Sequence, residues 1–198
     1  QLFSKLRIKR EYITEDDVGF TITPRINAAS RMGKPDTAFN LLSTDDVVLA
    51  GAYADALEHV NNERKGTVAS LVKEIRKIIL ERNVLEKKVI VLGNPLWRPS
   101  LLGLVANTLA EEHGKPVFLW GRDGDNVIKG SCRSGKSANV FSIMQNTSDS
   151  FSQYGGHAAS GGFEVKDGLI HSLEESLEKS FIGLNYEKIE DKNRIDAE

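Results

Sequence analysis

Residues 88–120, KVIVLGNPLWRPSLLGLVANTLAEEHGKPVFLW, decide the fold of this chain. The apolar run Val89–Leu92 ends at a Gly-Asn-Pro turn and is typical of a buried strand. Residues 99–113 predict a helix, because Pro99 suits a first helical turn and apolar residues recur at three- and four-residue steps. Val117–Trp120 is a second apolar run after a Gly-Lys-Pro turn. Strand, helix and strand in this order predict a βαβ unit.

The rest of the C-terminal half extends this unit into a small α/β domain with a mixed sheet at residues 87–183. Its further predicted elements are a turn at 121–126, a strand at 127–133, a helix near 139–151, a strand near 162–166 and a helix near 169–181. Between them lies Gly155–Gly162, GGHAASGG, whose four glycines predict a loop. The charged residues 184–198 predict a frayed tail.

The N-terminal half predicts a different organisation. Residues 1–43 are typical of loops and short helices, as at the end of a larger domain. Residues 44–86 carry an unusually long helical pattern, with Ser43 or Thr44 as the expected cap. Two glycines inside the pattern each cost about 1 kcal/mol relative to alanine, so a kinked or split segment and an unbroken helix are both open alternatives. We expect a long helix linking two lobes.

Composition limits the possible functions. Among 198 residues, 26 Lys and Arg oppose 28 Asp and Glu, so the net charge of −2 excludes a large basic footprint and leaves only local contacts to a polyanion. The single cysteine, Cys132, excludes a disulfide framework and a Cys-rich zinc site and favours a reducing cytoplasm. No apolar run is long enough for a membrane span, so no membrane partner is expected. Because the chain starts at Gln1 without Met, we expect a fragment.

Three segments carry residues suited to phosphate. Ser131 and Arg133 are two residues apart on a predicted strand and therefore point to the same face, where a hydroxyl and a guanidinium fork suit an anion. Gly155–His157 combines bare main-chain amides with an imidazole donor. Pro24–Arg31 places two arginines and an asparagine around small residues, which suits phosphate or a helix cap. Taken singly, each segment also fits an exposed turn or a solvated side chain.

Gly130–Ser137 matches the phosphate-cradling pattern G-x-x-x-x-G-K-[ST]. Its context does not favour a P-loop. The preceding strand, Asp125–Lys129, is half polar, and no later apolar strand ends in the aspartate that would hold Mg²⁺. A P-loop ATPase is therefore the least favoured alternative.

The sequence predicts no cutting centre and no metal site in this segment. The acidic pairs Asp16-Asp17 and Asp45-Asp46 stand at helix starts, where the helix dipole accounts for them. Asp123 and Asp125 flank a glycine in a predicted turn. Cys132 alternates with the proposed phosphate-binding side chains and is expected to face the core. His157 is the one possible contributor near an active site.

Taken together, four motifs in this order resemble the RecJ family of single-strand-specific DNA exonucleases, within the DHH phosphoesterase superfamily. The resemblance runs from about Thr23 to Phe181. The motifs are a P-R-x-N-A-A-G-R-like segment, a W-x-P-x-x-x-G-x-V-A stretch, a G-S-x-R-S strand and a G-G-H-A loop, which here are Pro24–Arg31, Trp97–Ala106, Gly130–Ser134 and Gly155–Ala158. The resemblance implies the end of a DHH catalytic lobe, a long linking helix and a DHH-associated domain.

The resemblance also implies a function for a longer protein: 5′→3′ digestion of single-stranded DNA in repair and recombination, with Mn²⁺ or Mg²⁺ held by an upstream catalytic lobe in cis. Single-strand-binding proteins or helicases as partners stay open. This segment would hold the substrate and be inactive alone. The residues that the resemblance assigns to the substrate phosphates are Arg25, Asn27, Arg31, Ser131, Arg133, Ser134, Gly155, Gly156 and His157, with Trp97 and Arg98 as possible additions.

Some positions depart from the family pattern. Ser30 replaces a glycine, Arg98 and Ser100 stand where His and Gly are common, and Ser160-Gly161 replaces an alanine pair. Arg98 could add a further phosphate contact. Two alternatives within the superfamily stay open, namely part of an oligonucleotide or cyclic-dinucleotide phosphodiesterase and a non-catalytic nucleic-acid-binding module.

Overall fold

The computed structural model of the chain describes residues 1–135 and 138–184. Two residues of the P-loop-like pattern, Lys136 and Ser137, and residues 185–198 of the predicted tail lie outside the described residues. The chain divides into two compact units, an N-terminal unit, Gln1–Ser70, and a C-terminal unit, Leu71–Glu198. The domain boundaries suggested by the sequence, at residues 43 and 86, stay a prediction.

The N-terminal unit is built from helices. It contains α1 (Leu2–Lys5), a 3₁₀ turn (Arg10–Tyr12), a π-helix (Asp17–Ile22), α2 (Thr23–Arg31), α3 (Pro35–Ser43) and the first part of α4 (Val47–Glu81). Pro24 and Pro35 each stand in a first helical turn, where a missing N–H costs nothing. Its small core joins Ala29, Ala38 and Leu57. Residues 1–70, all of them described, contain no strand, in agreement with the sequence pattern.

Helix α4 begins later than the sequence predicts. Asp46, not Ser43 or Thr44, caps it, because the N–H groups of Val48 and Leu49 donate to Asp46 Oδ1 over 2.7 and 3.0 Å. The Thr44 hydroxyl instead accepts from the N–H of Asp46. The helix continues without interruption through both glycines to Glu81, so the structure shows the unbroken alternative.

The C-terminal unit is organised around a five-stranded mixed sheet of order β1-β2-β3-β5-β4. The strands are β1 (Ile90–Gly93), β2 (Val117–Arg122), β3 (Ile128–Arg133), β4 (Phe151–His157) and β5 (Ser160–Val165). The strands β1 and β2 are parallel and flank α5 (Pro99–His113), which confirms the predicted βαβ unit, and the other pairs are antiparallel. The remaining helices are α6 (Val140–Asn146) and α7 (Leu173–Gly183), with 3₁₀ turns at Val84–Glu86, Ser148–Ser150 and Leu169–His171.

The sheet has two unequal faces. One face carries the main core, in which Phe118, Cys132 and Phe163 pack with residues of α6 and α7. Aromatic rings continue this core to the edge of the sheet, with Phe151 at 5.4 Å from Phe163 and 5.8 Å from Tyr154 between ring centroids. The other face is covered by α5 over β2 and β3, and Gly162 of β5 is exposed there. The open part of this second face positions the candidate site.

The largest difference from the sequence-based prediction lies at residues 139–162. The predicted helix ends at Asn146, and Phe151–His157 forms strand β4, which the sequence analysis missed. The expectation of a GGHAASGG loop is therefore wrong: its two ends pair as strands, Gly155 with Gly162 and His157 with Ser160, around the turn Ala158-Ala159. Glycine has a low strand propensity, but pairing with β5 and the packing of Phe151 override it.

Candidate phosphate-binding surface

Ser131 and Arg133 of β3 point to the same face of the sheet, towards α5. An added Cβ at Gly103 of α5 would lie 3.1 Å from Arg133 Nη2 and 3.5 Å from Ser131 Oγ. Gly103 therefore leaves the room that these two side chains occupy. The Arg133 Nη1 atom donates to the carbonyl of Cys132 over 2.7 Å, which holds the guanidinium against the strand end. The predicted common orientation of Ser131 and Arg133 is confirmed.

The sheet register brings His157 into line with Arg133. Arg133 pairs with Ser160, and Ser160 pairs with His157, so these residues form one row across β3, β5 and β4, here called the phosphate row. Side chains paired directly across strands share a face of the sheet. Two strand spacings separate the Cα atoms of Arg133 and His157 by roughly 10 Å. The guanidinium and the imidazole therefore lie on the same side of the sheet.

The imidazole of His157 is oriented by the hairpin that carries it. Its Nδ1 atom accepts from the N–H of Ala159 over 3.3 Å, and its Nε2 atom lies 2.8 Å from Ser160 Oγ. In the neutral ring the proton is then on Nε2, which donates to the Ser160 hydroxyl. The sequence analysis noted Ser160 only as a departure from the family pattern and missed this contact. Its pairing with His157 required knowledge of the hairpin register.

A hollow of about 240 Å³ lies at the end of the phosphate row. Arg133, Ser134 and the turn residue Ala159 line it together with Asn107 and Glu111 of α5. The N–H of Ser134 donates to the carbonyl of Ala159 over 3.0 Å, which ties the end of β3 to the hairpin turn. The Glu111 carboxylate accepts from the Asn107 amide over 2.9 Å. The hollow therefore combines the guanidinium of Arg133 with the carboxylate of Glu111.

The glycines of the hairpin fall into two groups. At Gly156, with φ +146°, an added Cβ would lie 2.3 Å from the carbonyl oxygen of Ser160, and at Gly161 it would lie 2.8 Å from the carbonyl oxygen of Gly155. The fold itself requires these two glycines. At Gly155, no described atom lies within 4 Å of an added Cβ, and at Gly162 the nearest is 3.7 Å away. Packing does not require Gly155 and Gly162, which leave bare backbone beside Ser131.

Trp97 and Arg98 stand at the start of α5 in very different surroundings. Trp97 is 5% exposed, and its indole N–H donates to Glu74 over 3.0 Å, so the structure gives it a packing role. Arg98 is exposed and lines a hollow of about 510 Å³ with Arg122 and Lys129. Arg98 is thus exposed at this end of the sheet, whereas Trp97 is buried.

The other predicted phosphate-binding residues lie on α2 of the N-terminal unit. Arg25 is engaged within that unit: its Nε atom donates to Glu58 over 2.5 Å and its Nη1 to the carbonyl of Thr21 over 2.6 Å. Its side chain is only 16% exposed. Asn27 is exposed on the same helix. The bidentate pair of Arg25 with Glu58 stabilises the packing of α2 on α4.

Arg31 lies close to a donor cluster that the sequence analysis missed. Burial and the positive charge of Arg31 lower the pKa of Arg64. The Arg64 Nη2 atom donates to Asn61 Oδ1 over 3.1 Å, yet Arg64 Nε and Asn61 Nδ2 are buried without an acceptor among the described residues. Unsatisfied buried donors are costly and mark places where an acceptor binds. In the sequence, the only indication of this cluster was the three-residue spacing of Asn61 and Arg64, which places both on one face of the helix.

The described residues do not provide a metal site. No group of three or more His, Cys, Asp or Glu side chains in residues 1–135 and 138–184 is placed to hold an ion. Asp123 accepts from the N–H groups of Asp125 and Val127 and pairs with Lys129 over 2.6 Å, which lowers the pKa of its carboxyl. This confirms the structural interpretation of the acidic turn. The Asp123 carboxylate is thus engaged within its own turn and with Lys129.

Cys132 is buried in the core, as its position in the strand pattern predicts. Its Sγ atom lies 3.9 Å from Met144 Sδ, and burial raises the pKa of the thiol to about 12. Since the thiolate is the nucleophile, Cys132 is inert in the folded chain.

We expect a thiol reagent at pH 8 to leave the native chain unmodified and to modify Cys132 once denaturant unfolds it. Because the folded chain raises the pKa of the Cys132 thiol, the protonated thiol contributes to the free energy of unfolding. This contribution is fully present below the unfolded-state pKa near 9 and is lost as the pH rises towards about 12. Mass spectrometry after timed labelling measures the modified fraction of Cys132 with and without denaturant. Rapid labelling of the chain under native conditions would contradict the buried position.

Within the described part of the chain, no helix combines the length and apolar character needed to cross a bilayer.

Comparison with known proteins agrees with this architecture. Residues 86–182 match the family model of the DHHA1 domain. The single-stranded-DNA-specific exonucleases RecJ of Bacillus subtilis and Thermus thermophilus are 30% and 33% identical, over 82% of this chain in each case. The crystal structure of T. thermophilus RecJ in complex with Mn²⁺ has a TM-score of 0.77 at 30% identity and covers 90% of this chain. The chain spans 21% and 23% of the lengths of the two RecJ relatives and 26% of the crystallised chain.

Proposed function

Since this chain is a RecJ-like segment with a DHHA1 domain, we propose that it holds single-stranded DNA by its phosphates for an exonuclease of which it forms a part. The phosphate row carries the proposal: one register across β3, β5 and β4 aligns Arg133, Ser160 and His157 on one face of the sheet, and the row is exposed at His157. Ser131 and Ser134 on β3, and Gly155 and Gly156 on β4, complete the surface.

The chemistry of the row suits a phosphodiester. The Arg133 guanidinium supplies parallel donors that match phosphate oxygens, and the Ser160 hydroxyl, which accepts from the imidazole of His157, supplies a second donor. Strand β4 is the edge of the sheet, and alternate N–H groups of an edge strand point away from its neighbour. Bare backbone at Gly155 lets an extended nucleic-acid strand approach these groups.

The N-terminal unit contributes contacts of its own. We assign Asn27 and Arg31 to the phosphates, and the unsatisfied donors of Asn61 and Arg64 support an acceptor next to Arg31. Arg25 then acts through Glu58 by positioning α2 rather than by touching phosphate.

The N-terminal unit also supports an upstream catalytic lobe in cis. It exposes several large apolar side chains, including Phe20 at 79% and Val48 at 80%. Exposed apolar groups of this extent mark protein interfaces. In the intact protein, Mn²⁺ or Mg²⁺ on that lobe would activate water against the phosphodiester, and this segment would fix the strand for in-line attack. Cytoplasmic DNA repair and recombination, with 5′→3′ polarity, are the corresponding biological setting.

We expect the 198-residue chain to bind a fluorescent single-stranded oligonucleotide weakly and with a shallow salt dependence. The phosphate row and Arg31 offer about two to four phosphate contacts, which release a similar number of counterions. Anisotropy titrations between low and moderate salt give the slope of log K against log salt. Salt-independent binding, or none, would remove phosphate recognition from this chain.

The same preparation is expected to leave single-stranded DNA intact with Mn²⁺ present, because the described side chains form no metal site. Gel analysis of a 5′-labelled oligonucleotide tests this against a longer protein that includes the upstream lobe. Digestion that co-purifies with the folded 198-residue chain and survives further purification would refute the assignment of the chemistry to another lobe.

A further inference from the structure

A second hollow lies on the same face of the sheet and extends from Gly155 and Gly162 to the residues two positions further along each strand. It has a volume of about 420 Å³, and its floor is the bare backbone of Gly155 and Gly162. Its end is formed by Lys129, Glu164 and Gln153, which pair across β3, β5 and β4 and are here called the polar row. Two residues of a strand span roughly 7 Å, so the polar row is roughly 13 Å from the phosphate row.

The charges of the polar row argue against a second phosphate. Lys129 is already paired with Asp123 over 2.6 Å, and the hydrogen bond and charge of Asp123 raise the pKa of Lys129. Glu164 adds a carboxylate, which repels phosphate oxygens. A ligand at this end of the hollow must therefore be uncharged and must offer hydrogen-bond donors.

The Glu164 carboxylate is held in place for such a ligand. The hydroxyl of Ser152, at the irregularity in β4 beside the Phe151–Gln153 register shift, donates to Glu164 Oε1 over 2.7 Å. The other oxygen of the Glu164 carboxylate can accept a hydrogen bond from a ligand. Gln153 is exposed beside it, and its amide both donates and accepts. The carboxylate of Glu164 and the amide of Gln153 thus offer acceptors and donors beside the flat glycine backbone, an arrangement that matches the edge of a nucleobase.

We propose that the glycine floor and the polar row bind one nucleobase of the DNA strand whose phosphate lies on the phosphate row, with Glu164 accepting from an exocyclic amino group. This inference rests on the proposed function, because the phosphate row sets the position of the sugar. Cytosine, adenine and guanine carry such an amino group and thymine does not. The chain thereby discriminates between bases at one position of a strand that it otherwise holds by its backbone.

The test uses isotope-labelled full chain and three probes: 5′-phosphorylated d(CCC), 5′-phosphorylated d(TTT) and an abasic deoxyribose phosphate trimer. We expect all three to shift the NMR signals of Arg133 and His157. Only the base-containing probes should shift Gly162 and Glu164 of the second hollow. The affinity for d(CCC) should exceed that for d(TTT) on the order of 5-fold, the scale of one well-placed base contact.

Two variants separate base binding from phosphate binding. Glu164→Gln should remove the preference for d(CCC) and leave the abasic probe unaffected, with Glu175→Gln on α7 as the matched control. Gly162→Val should weaken both base-containing probes several-fold because its side chain covers the floor. The fold has room for this side chain at its Cβ, whose nearest atom is 3.7 Å away. Thermal melting of each variant verifies folding.

Each outcome decides one claim. Base-dependent shifts at the floor, together with a preference that disappears in Glu164→Gln, support the base site. Shifts at the phosphate row without base-dependent shifts at the floor overturn the base site and leave the proposed function intact. No response of the phosphate row to any probe overturns the proposed function and the base site with it.

Discussion

Replacing Arg133 with alanine is expected to weaken single-stranded DNA binding by about 1–3 kcal/mol, the scale of a charge-assisted hydrogen bond, or roughly 5- to 150-fold. The guanidinium lines the hollow of about 240 Å³ together with Ser134 and Ala159. Its loss removes one phosphate contact, so the salt slope should fall by about one counterion.

Two further variants make this result specific. Arg133→Lys keeps the charge but loses the fork, so we expect it to restore part of the affinity and the full salt slope. Lys179→Ala removes a charge from α7, which packs on the other face of the sheet, and should leave affinity unchanged. Equal affinities for Arg133→Ala and the unaltered chain would exclude Arg133 from the binding surface.

Gly156→Ala is expected to destabilise the C-terminal unit by about 2–4 kcal/mol, whereas its neighbour Gly155→Ala should change stability by less than about 0.5 kcal/mol. At Gly156 the backbone φ of +146° is open almost only to glycine, and a Cβ would collide with the Ser160 carbonyl. At Gly155 a Cβ meets no described atom within 4 Å.

Chemical denaturation of both variants measures this difference. Because the β4–β5 hairpin carries His157, Gly156→Ala should also weaken DNA binding through loss of structure. Gly155→Ala should keep the melting behaviour of the unaltered chain and affect binding alone. Similar stabilities for the two variants would mean that the hairpin does not need the backbone conformation described for Gly156.

The sequence predicted the elements whose local pattern is strong. Helix α5 has the predicted bounds, because Pro99 starts it, Gly114 ends it and apolar residues recur with helical period between them. Strands β1, β2 and β3 lie within one or two residues of their predicted positions. The cap of α4 was predicted wrongly because Ser43, Thr44 and Asp46 are all good capping residues, and only the geometry selects Asp46.

Strand β4 could not be predicted from its own residues. Two of its seven residues are glycines that pay a high entropic cost in a strand, and most of the strand is exposed. It exists because β5 supplies hydrogen-bond partners and because Phe151 packs against Phe163 in the core. These are contacts between residues distant in sequence, which no local pattern contains.

The sequence by itself determined the α/β class, the βαβ unit, the shared face of Ser131 and Arg133 and the family to which the motifs point. Period-two alternation and helical spacing are local properties, so they survive without tertiary information. Only the tertiary structure decided that Ser160 and His157 join Arg133 in one row and that Gly155 and Gly162 form an open floor. Strand order and register follow from long-range pairing, and a shift of one residue would have turned every one of these side chains to the opposite face.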